Sequence, residues 1–269
     1  MSPTSGELTK ASRLPAHEAI RLLVSATGYA RPDIVAGTTL TDAQVSVYRA
    51  FEERRVKGEP LQYIEGDVPF GSVSIRVDKR ALIPRPETEE MFHVARDLAD
   101  DPAIIVDLCT GSGNLAVALA AAFPNARVYA TEISPDAARL ARANVEGNGV
   151  DATILDGDLF GPLPAEIRGR IDLIVSNPPY LSEAELVDVP QDVQWEPAMA
   201  LVGGPLGTEV LERIARVAPS WLAPSGVMVC EISEFDSTRT LGLFSTMDAA
   251  LHLDMYGKHR FVVAHARFE

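Results

Sequence analysis

The 269-residue sequence has only two cysteines, no excess of basic residues and no long hydrophobic run. Cys109 and Cys230 both lie in apolar, strand-like contexts. They provide neither a disulfide framework nor a metal-ligand spacing, so a reducing compartment is the default. The five histidines, His17, His93, His252, His259 and His265, form no i, i+4 pair with a carboxylate between them, and no metal is expected. With 24 Lys and Arg against 38 Asp and Glu, the net charge is −14. Sequence-independent nucleic-acid binding rests on phosphate neutralisation by clustered cations, so stable nucleic-acid binding is not expected. No apolar stretch approaches the roughly 18 residues a membrane helix requires. The opening "MSPTSGELTK" lacks the basic-then-apolar order of a signal peptide. These absences lead to the expectation of a soluble, cytoplasmic protein that does not enter membranes; a monomer is expected as well.

What is present divides into three parts, expected at residues 1–60, 61–87 and 88–269. The first reads as a small helical domain. "HEAIRLLVSAT" places Ala19, Leu22, Leu23 and Ala26 on one face before Gly28, a plausible stop. "TLTDAQVSVYRAFEERRVKG" offers Thr41 or Asp42 as a cap, apolar Val45, Val47, Tyr48 and Phe51, and cations near its end. The charge run "FEERRVKGE" is a solvated helix face or, alternatively, a partner contact. "LQYIEGDVPFGSVSIRV" alternates around a Gly-Asp break and predicts a β-hairpin linker. From residue 88, short β-branched runs ("AIIVDL", "RVYATE", "ATIL", "IDLIVS", "GVMVCEI") alternate with helical segments. That order predicts an α/β, Rossmann-like, doubly wound parallel sheet, and "LHLDMYGKHRFVVAHARF" adds an antiparallel C-terminal hairpin.

Two stretches carry chemistry. "DLCTGSGNLA" follows the first strand of the sheet and opens a helix, and Gly111 and Gly113 permit a sharp turn with close backbone approach to a ligand. About twenty residues on, Glu132 ends the next strand, placed to accept both hydroxyls of a ribose. Together they indicate an adenosine-containing cofactor without specifying which. Gly111, Gly113 and Ala116 also satisfy the dinucleotide pattern G-x-G-x-x-A, which keeps a nicotinamide oxidoreductase open. Against it, the glycine turn lies several residues beyond the strand, with Asp107 between, and no hydride-transfer apparatus is evident.

The second stretch is "SNPPYL", Ser176 to Leu181, where two prolines force the chain out of the sheet after "IDLIVS". In this topology ligands bind beyond the carboxyl ends of the strands, so the loop belongs beside the cofactor. Asn177 offers a carbonyl acceptor and an NH₂ donor. The Pro178 carbonyl is a second acceptor, its direction fixed by the Pro178-Pro179 pair. Two adjacent acceptors can hold both hydrogens of an NH₂ group, while Tyr180 supplies a flat face for stacking. None of these is a strong base, metal ligand or nucleophile. Orientation alone suits in-line transfer of an already activated group, such as a methyl on a sulfonium, and near-attack placement is worth roughly 7–11 kcal/mol. An amide nitrogen is a poor nucleophile because its lone pair is delocalised; accepting its two hydrogens favours a pyramidal nitrogen with that pair aimed at the methyl.

Asp107-x-x-x-Gly111-x-Gly113, Glu132 and Asn177-Pro178-Pro179-Tyr180 resemble the S-adenosylmethionine-dependent amino-methyltransferases, whose tetrapeptide is shared by DNA adenine-N6 and protein glutamine-N5 enzymes. "GEPLQYIEG", Phe70, "LIPRPETE" (Leu82 to Glu89), "EPAMALVGG" (Glu196 to Gly204) and the "YGKHRFVVAHAR" tail, with Gly257 and Arg260, resemble the peptide chain release factor N5-glutamine methyltransferases of HemK/PrmC type. The likeness runs from about residue 15 to the C-terminus. It implies methylation of the glutamine in the Gly-Gly-Gln loop of release factors, with the helical domain recognising that protein substrate. It further implies that Asn177 and Pro178 hold the glutamine amide with Tyr180 packed against it. S-adenosyl-L-methionine would meet Cys109, Thr110, Gly111, Ser112 and Gly113 along its methionine part, Glu132 at the ribose, Asp158 or Leu159 at the adenine edge, and Asn177. The Pro84 to Glu89 loop is either a border of the active site or a domain-connecting turn.

The sequence departs from that family's pattern at four places. Glu132 stands for the more usual Asp, Cys109 for a common Gly, Leu206 for a frequent Asp, and Ser233 for the usual Gly after Glu231-Ile232. Rival readings are an adenine-N6 nucleic-acid methyltransferase, a glutamine methyltransferase acting on another protein, and a cofactor-binding module without catalysis. The first is disfavoured by the charge balance and by the lack of a recognisable target-recognition domain. Trp195 packs either under the active-site loop or in a core, and Trp221 reads as core.

Overall fold

The computed structural model describes residues 2–234 and 237–267. It divides into two compact units, one of residues 1–67 with 190–195 and one of residues 68–189 with 196–269.

The first unit is helical: α1 (Ser5–Ala11), α2 (Ala16–Thr27), α3 (Arg31–Ala36), α4 (Asp42–Val56) and α5 (Leu61–Glu65). Thr41 caps α4 in a reciprocal capping box with Gln44, and α2 stops at Gly28, whose φ is 72°. Leu22, Leu23, Ile34, Leu40, Tyr48 and Ile64 form its core. Val47 is exposed, because the buried stripe of α4 runs through Tyr48 and Glu52. The charge run is correspondingly less solvated than expected. Glu52 is buried and accepts hydrogen bonds from Ser12 Oγ, the Arg13 N–H and Arg49, while Arg55 pairs with Glu18. Trp195 clusters with this unit and is 40% exposed, not core.

The expected hairpin is shorter than its pattern. Leu61–Glu65 is a helical turn between Pro60 and a left-handed Gly66, because Ile64 and Leu61, three apart, face the helical core. Strands β1 (Asp67–Phe70) and β2 (Val73–Arg76) then pair around Gly71.

In the second unit, α6 (Pro86–Leu98) precedes β3 (Ile104–Leu108), α7 (Asn114–Ala122), β4 (Arg127–Glu132), α8 (Pro135–Asn148), β5 (Ala152–Asp156) and β6 (Ile171–Ser176). The short strands β7 (Leu181–Ser182) and β8 (Val202–Gly204) pair separately. Then follow α9 (Glu209–Val217), β9 (Leu222–Glu231), α10 (Ser237–Leu243), β10 (Met247–Leu253) and β11 (His259–Ala266). The main sheet has seven strands in the order β10-β11-β9-β6-β3-β4-β5, parallel from β9 to β5 and antiparallel through β10 and β11. All five residues of β3 are buried, as a central strand covered on both faces requires. Trp221 is core, stacked on Phe160 with ring centroids 5.7 Å apart.

The α8 helix supplies a second sheet edge through its side chains. Asn144 accepts the Arg76 N–H (2.8 Å) and donates to the Arg76 carbonyl (3.0 Å). Asn148 does the same for Ser74, at 3.2 and 2.8 Å. An exposed strand edge is thereby satisfied without a further strand. No helix among the described residues is long and apolar enough to cross a membrane.

Candidate active site

One cavity of about 260 Å³ opens beyond the carboxyl ends of β3, β4, β5 and β6. Each strand delivers its next residues to the wall: Cys109 to Ser112 and Asn114 after β3, Glu132 to Ser134 from β4, Gly157 to Leu159 after β5, and Asn177 after β6. The crevice lies where a doubly wound sheet places its ligands. Of the residues singled out in the sequence, Cys109, Thr110, Gly111, Ser112, Glu132, Asp158, Leu159, Asn177 and Pro179 line it. Gly113, Pro178 and Tyr180 stand outside that lining.

Gly113 instead caps α7 at φ 82°, against the backbone of α8. Cys109 has φ 60° and Leu159 φ 48°, left-handed conformations that non-glycine residues rarely hold. The cysteine at 109 therefore occupies a position whose backbone favours glycine. Burial pushes its thiol well above the ordinary range, with the Glu132 and Asp107 carboxyls adding to the effect. A thiol held protonated in this way is not a nucleophile.

The carboxylate of Glu132 ties the loop to its strand, accepting the Gly111 N–H at 2.9 Å and the Ser134 N–H at 2.8 Å. Burial raises its pKa against those bonds. Each oxygen retains a lone pair for a further donor such as a hydroxyl. Behind the loop, fully buried Asp107 accepts Thr110 Oγ1–H and the Ala116 N–H, and burial pushes its carboxyl up to about 7. Asp107 Oδ1 and Thr131 Oγ1 are buried with no hydrogen-bond partner among the described residues. A turn with close backbone approach, an acidic ribose acceptor and the unsatisfied Thr131 hydroxyl on the cavity wall together fit a polar adenosine-bearing ligand. Asp158 lines the cavity, but its carboxylate is engaged by Arg213.

The Asn177 loop is held from two sides. Strand β8 comes so close that a Cβ on Gly203 would lie 2.3 Å from the Pro179 carbonyl oxygen, so only glycine fits there. From α6, Thr88 accepts Asn177 Nδ2–H at 2.9 Å and donates its own hydroxyl to Glu231 Oε2 at 2.7 Å. The Tyr180 hydroxyl donates to Glu231 Oε1 at 3.4 Å. Tyr180 thus points its polar end into the protein, toward the end of β9. Burial pushes the Glu231 carboxyl up to about 7, opposed by the Thr88 hydrogen bond and the Arg260 charge.

The Pro84 to Glu89 segment is a wall of this cavity through Pro84 and Thr88. It is pinned by Glu196, which accepts the Ile83 N–H at 2.9 Å and pairs with Arg85. Sequence reasoning missed Thr88, Glu196 and Glu231 as members of the site. It also missed Asn144, whose amide donates to the Ser112 carbonyl at 2.8 Å and fastens the glycine loop. Each sits inside a quoted motif or an ordinary helix, with no local pattern to mark it.

Comparison with known proteins bears on the fold and the family. Residues 94–196 match the model of the methyltransferase small domain, and residues 4–66 match that of the PrmC N-terminal domain. Among solved structures, the hMettl16 catalytic domain bound to a 3′UTR hairpin aligns with a TM-score of 0.59 at 16% identity, covering 96% of this chain and 93% of that one. A T. thermophilus 16S rRNA methyltransferase in complex with AdoMet and guanosine gives a TM-score of 0.54 at 19% identity, covering 75% and 50% of the two chains. At those identities the likeness is one of fold. Curated relatives are nearer. The release factor glutamine methyltransferase of Mycolicibacterium smegmatis is 41% identical over 83% of this chain and 82% of its own. Those of Deinococcus radiodurans and Bifidobacterium longum are 36% and 34% identical, over 83% and 86% of this chain and 80% and 85% of theirs. With a methyltransferase sheet, an N-terminal helical unit of the matching kind and this degree of identity along most of its length, the chain belongs to the release factor glutamine methyltransferase family.

Proposed function

We propose that this protein methylates the side-chain nitrogen of the glutamine in the Gly-Gly-Gln loop of peptide chain release factors, with S-adenosylmethionine as donor. The observation that carries the reading is the meeting of Asn177 with Glu132 and the Cys109–Ser112 loop in one cavity. An amide-gripping side chain and an adenosine-type cradle share one wall.

When bound, S-adenosylmethionine supplies a methyl carbon activated by a positively charged sulfur. Glu132 would accept the ribose hydroxyls, the loop from Cys109 to Ser112 would hold the methionine part, and Leu159, with the neighbouring Asp158 backbone, would border the adenine. Asn177 Oδ1 and the Pro178 carbonyl accept the two hydrogens of the glutamine amide and aim its lone pair. Tyr180 packs its ring against the amide. No side chain at this point is a strong base, and orientation supplies the rate. The N-terminal helical unit, which folds around its own core, is the part that recognises the release factor.

Incubation with methyl-labelled S-adenosylmethionine and a release factor is expected to label the Gly-Gly-Gln glutamine. Labelling that survives replacement of that glutamine by alanine overturns the substrate assignment. Labelling of DNA or RNA with none of the release factor overturns the choice of substrate class.

A further inference from the structure

An asparagine side chain can present either of two ends. Its oxygen accepts and its NH₂ donates, the two differ little in shape, and rotation of the amide by half a turn exchanges them. A clamp for an NH₂ group works only with the oxygen facing the ligand. Something in the protein must therefore select that orientation.

Glu231, at the end of β9, is 1% exposed and takes a hydrogen bond on each oxygen, from Thr88 on Oε2 and from Tyr180 on Oε1. Thr88, itself 2% exposed, has a single hydroxyl hydrogen, and while Glu231 is ionised that hydrogen is committed to the carboxylate at 2.7 Å. The Thr88 oxygen can then only accept from Asn177. Its contact with Asn177 at 2.9 Å admits the Nδ2 end and repels the Oδ1 end. Were the amide turned over, two acceptors would face each other in a buried place with no hydrogen between them.

We propose that Thr88 and Glu231 are positioning residues for glutamine methylation: a directional chain, Asn177 Nδ2–H to Thr88 Oγ1–H to Glu231, that holds the Asn177 carbonyl toward the substrate amide. Thr88 lines the cavity and Glu231 lies behind it, and both act on the substrate amide through Asn177. The proposal rests on the amide-clamp reading of Asn177 given above, and it goes further by naming what sets the direction of that clamp.

The test compares Thr88→Val, which keeps the β-branched shape and removes the hydroxyl, with Thr88→Ser, which keeps the hydroxyl. The substrates are a release factor and methyl-labelled S-adenosylmethionine. Thr88→Val is expected to lower kcat about 10- to 100-fold, the loss that follows when a reacting group is misplaced. KM for the release factor and the dissociation constant of S-adenosylmethionine should stay within about 3-fold. Thr88→Ser is expected to remain within about 3-fold of wild type in all three.

A second readout needs no substrate. In ¹⁵N-labelled protein, the Asn177 side-chain NH₂ signal, identified by its loss in Asn177→Ala, is expected to show one slowly exchanging proton in wild type and in Thr88→Ser. In Thr88→Val that protection should vanish. If Thr88→Val keeps both the protection and the kcat, or if Thr88→Ser fails as badly as Thr88→Val, the chain does not set the amide and the proposal is overturned. Wild-type protein with the protected signal but no methyl transfer to any release factor leaves the hydrogen-bond chain standing and removes the functional reading instead.

Discussion

Gly113 and Ala141 meet where α7 begins and α8 passes: a Cβ placed on Gly113 would lie 3.0 Å from the Ala141 Cβ and 3.1 Å from its Cα. The neighbour is backbone on a long helix and cannot swing aside. Gly113 also sits at φ 82°, which an L side chain rarely adopts. Gly113→Ala is therefore expected to cost about 2–4 kcal/mol in urea unfolding, from strain and overpacking together. A Cβ on Gly111, at φ 57°, meets nothing within 4 Å, so Gly111→Ala should cost only about 1–2 kcal/mol, from its backbone alone. Equal losses for the two would contradict the packing argument.

Glu196 should matter as a clasp, not as a catalyst. It is 5% exposed, accepts the Ile83 N–H and pairs with Arg85, whose side chain is 31% exposed. Removing it leaves a buried N–H and a half-buried cation without their carboxylate. After discounting for solvent around Arg85, Glu196→Ala is expected to destabilise by about 2–3 kcal/mol. Because Thr88 lies at the end of the same clasped segment, methyl transfer should fall with it. Full activity together with unchanged stability would show that Leu82 to Glu89 holds its place without the clasp.

The parts of the site that could be read from sequence are those whose chemistry is contiguous. The glycine loop comes right after β3, with Asp107 inside that strand and not between strand and turn as expected. Glu132 ends β4, and Asn177 to Tyr180 follow β6; the parallel part of the sheet carries these three strand ends to one side. The partners of Asn177 are not contiguous with it. Thr88 lies 89 residues from Asn177, and Glu231 lies 143 from Thr88. Only the docking of α6 beside the ends of β6 and β9 brings them together. The helical turn at Leu61–Glu65 was missed for a related reason. Its apolar residues Leu61, Tyr63 and Ile64 suit a short strand as well as one turn of helix, and burial of Ile64 in the helical core decides the matter.

The two cysteines should resist alkylation in the native protein although Cys109 lines an open cavity. Burial and nearby carboxyls raise the Cys109 thiol, and burial, with Cys109 and Glu231 adding to it, raises that of Cys230, which is 0% exposed. Iodoacetamide at pH 8 is expected to add to neither thiol by intact mass within an hour, and to both after unfolding in guanidinium. Rapid native modification at Cys109 would mean that its environment favours the thiolate, contrary to the packing described.

The strongest pH dependence of stability should come from Glu231. Its carboxyl is lifted from the ordinary 4.5 to about 7 by burial, with Glu87 raising it further and Thr88, Tyr180 and Arg260 opposing. Between those two values the folded state binds more protons than the unfolded chain. Stability must then fall as pH rises through that window and level off above about 7. Asp107, also lifted to about 7 by burial, contributes in the same sense, so the wild-type curve alone does not isolate Glu231. Glu231→Gln removes only the one titration. The stability of wild type minus that of Glu231→Gln is expected to decline by up to about 3 kcal/mol from pH 5 to pH 8, each taken from urea unfolding. A difference that stays flat or rises over that range would mean that Glu231 is solvated or fully paired, and hence not the buried, desolvated end of the hydrogen-bond chain from Asn177.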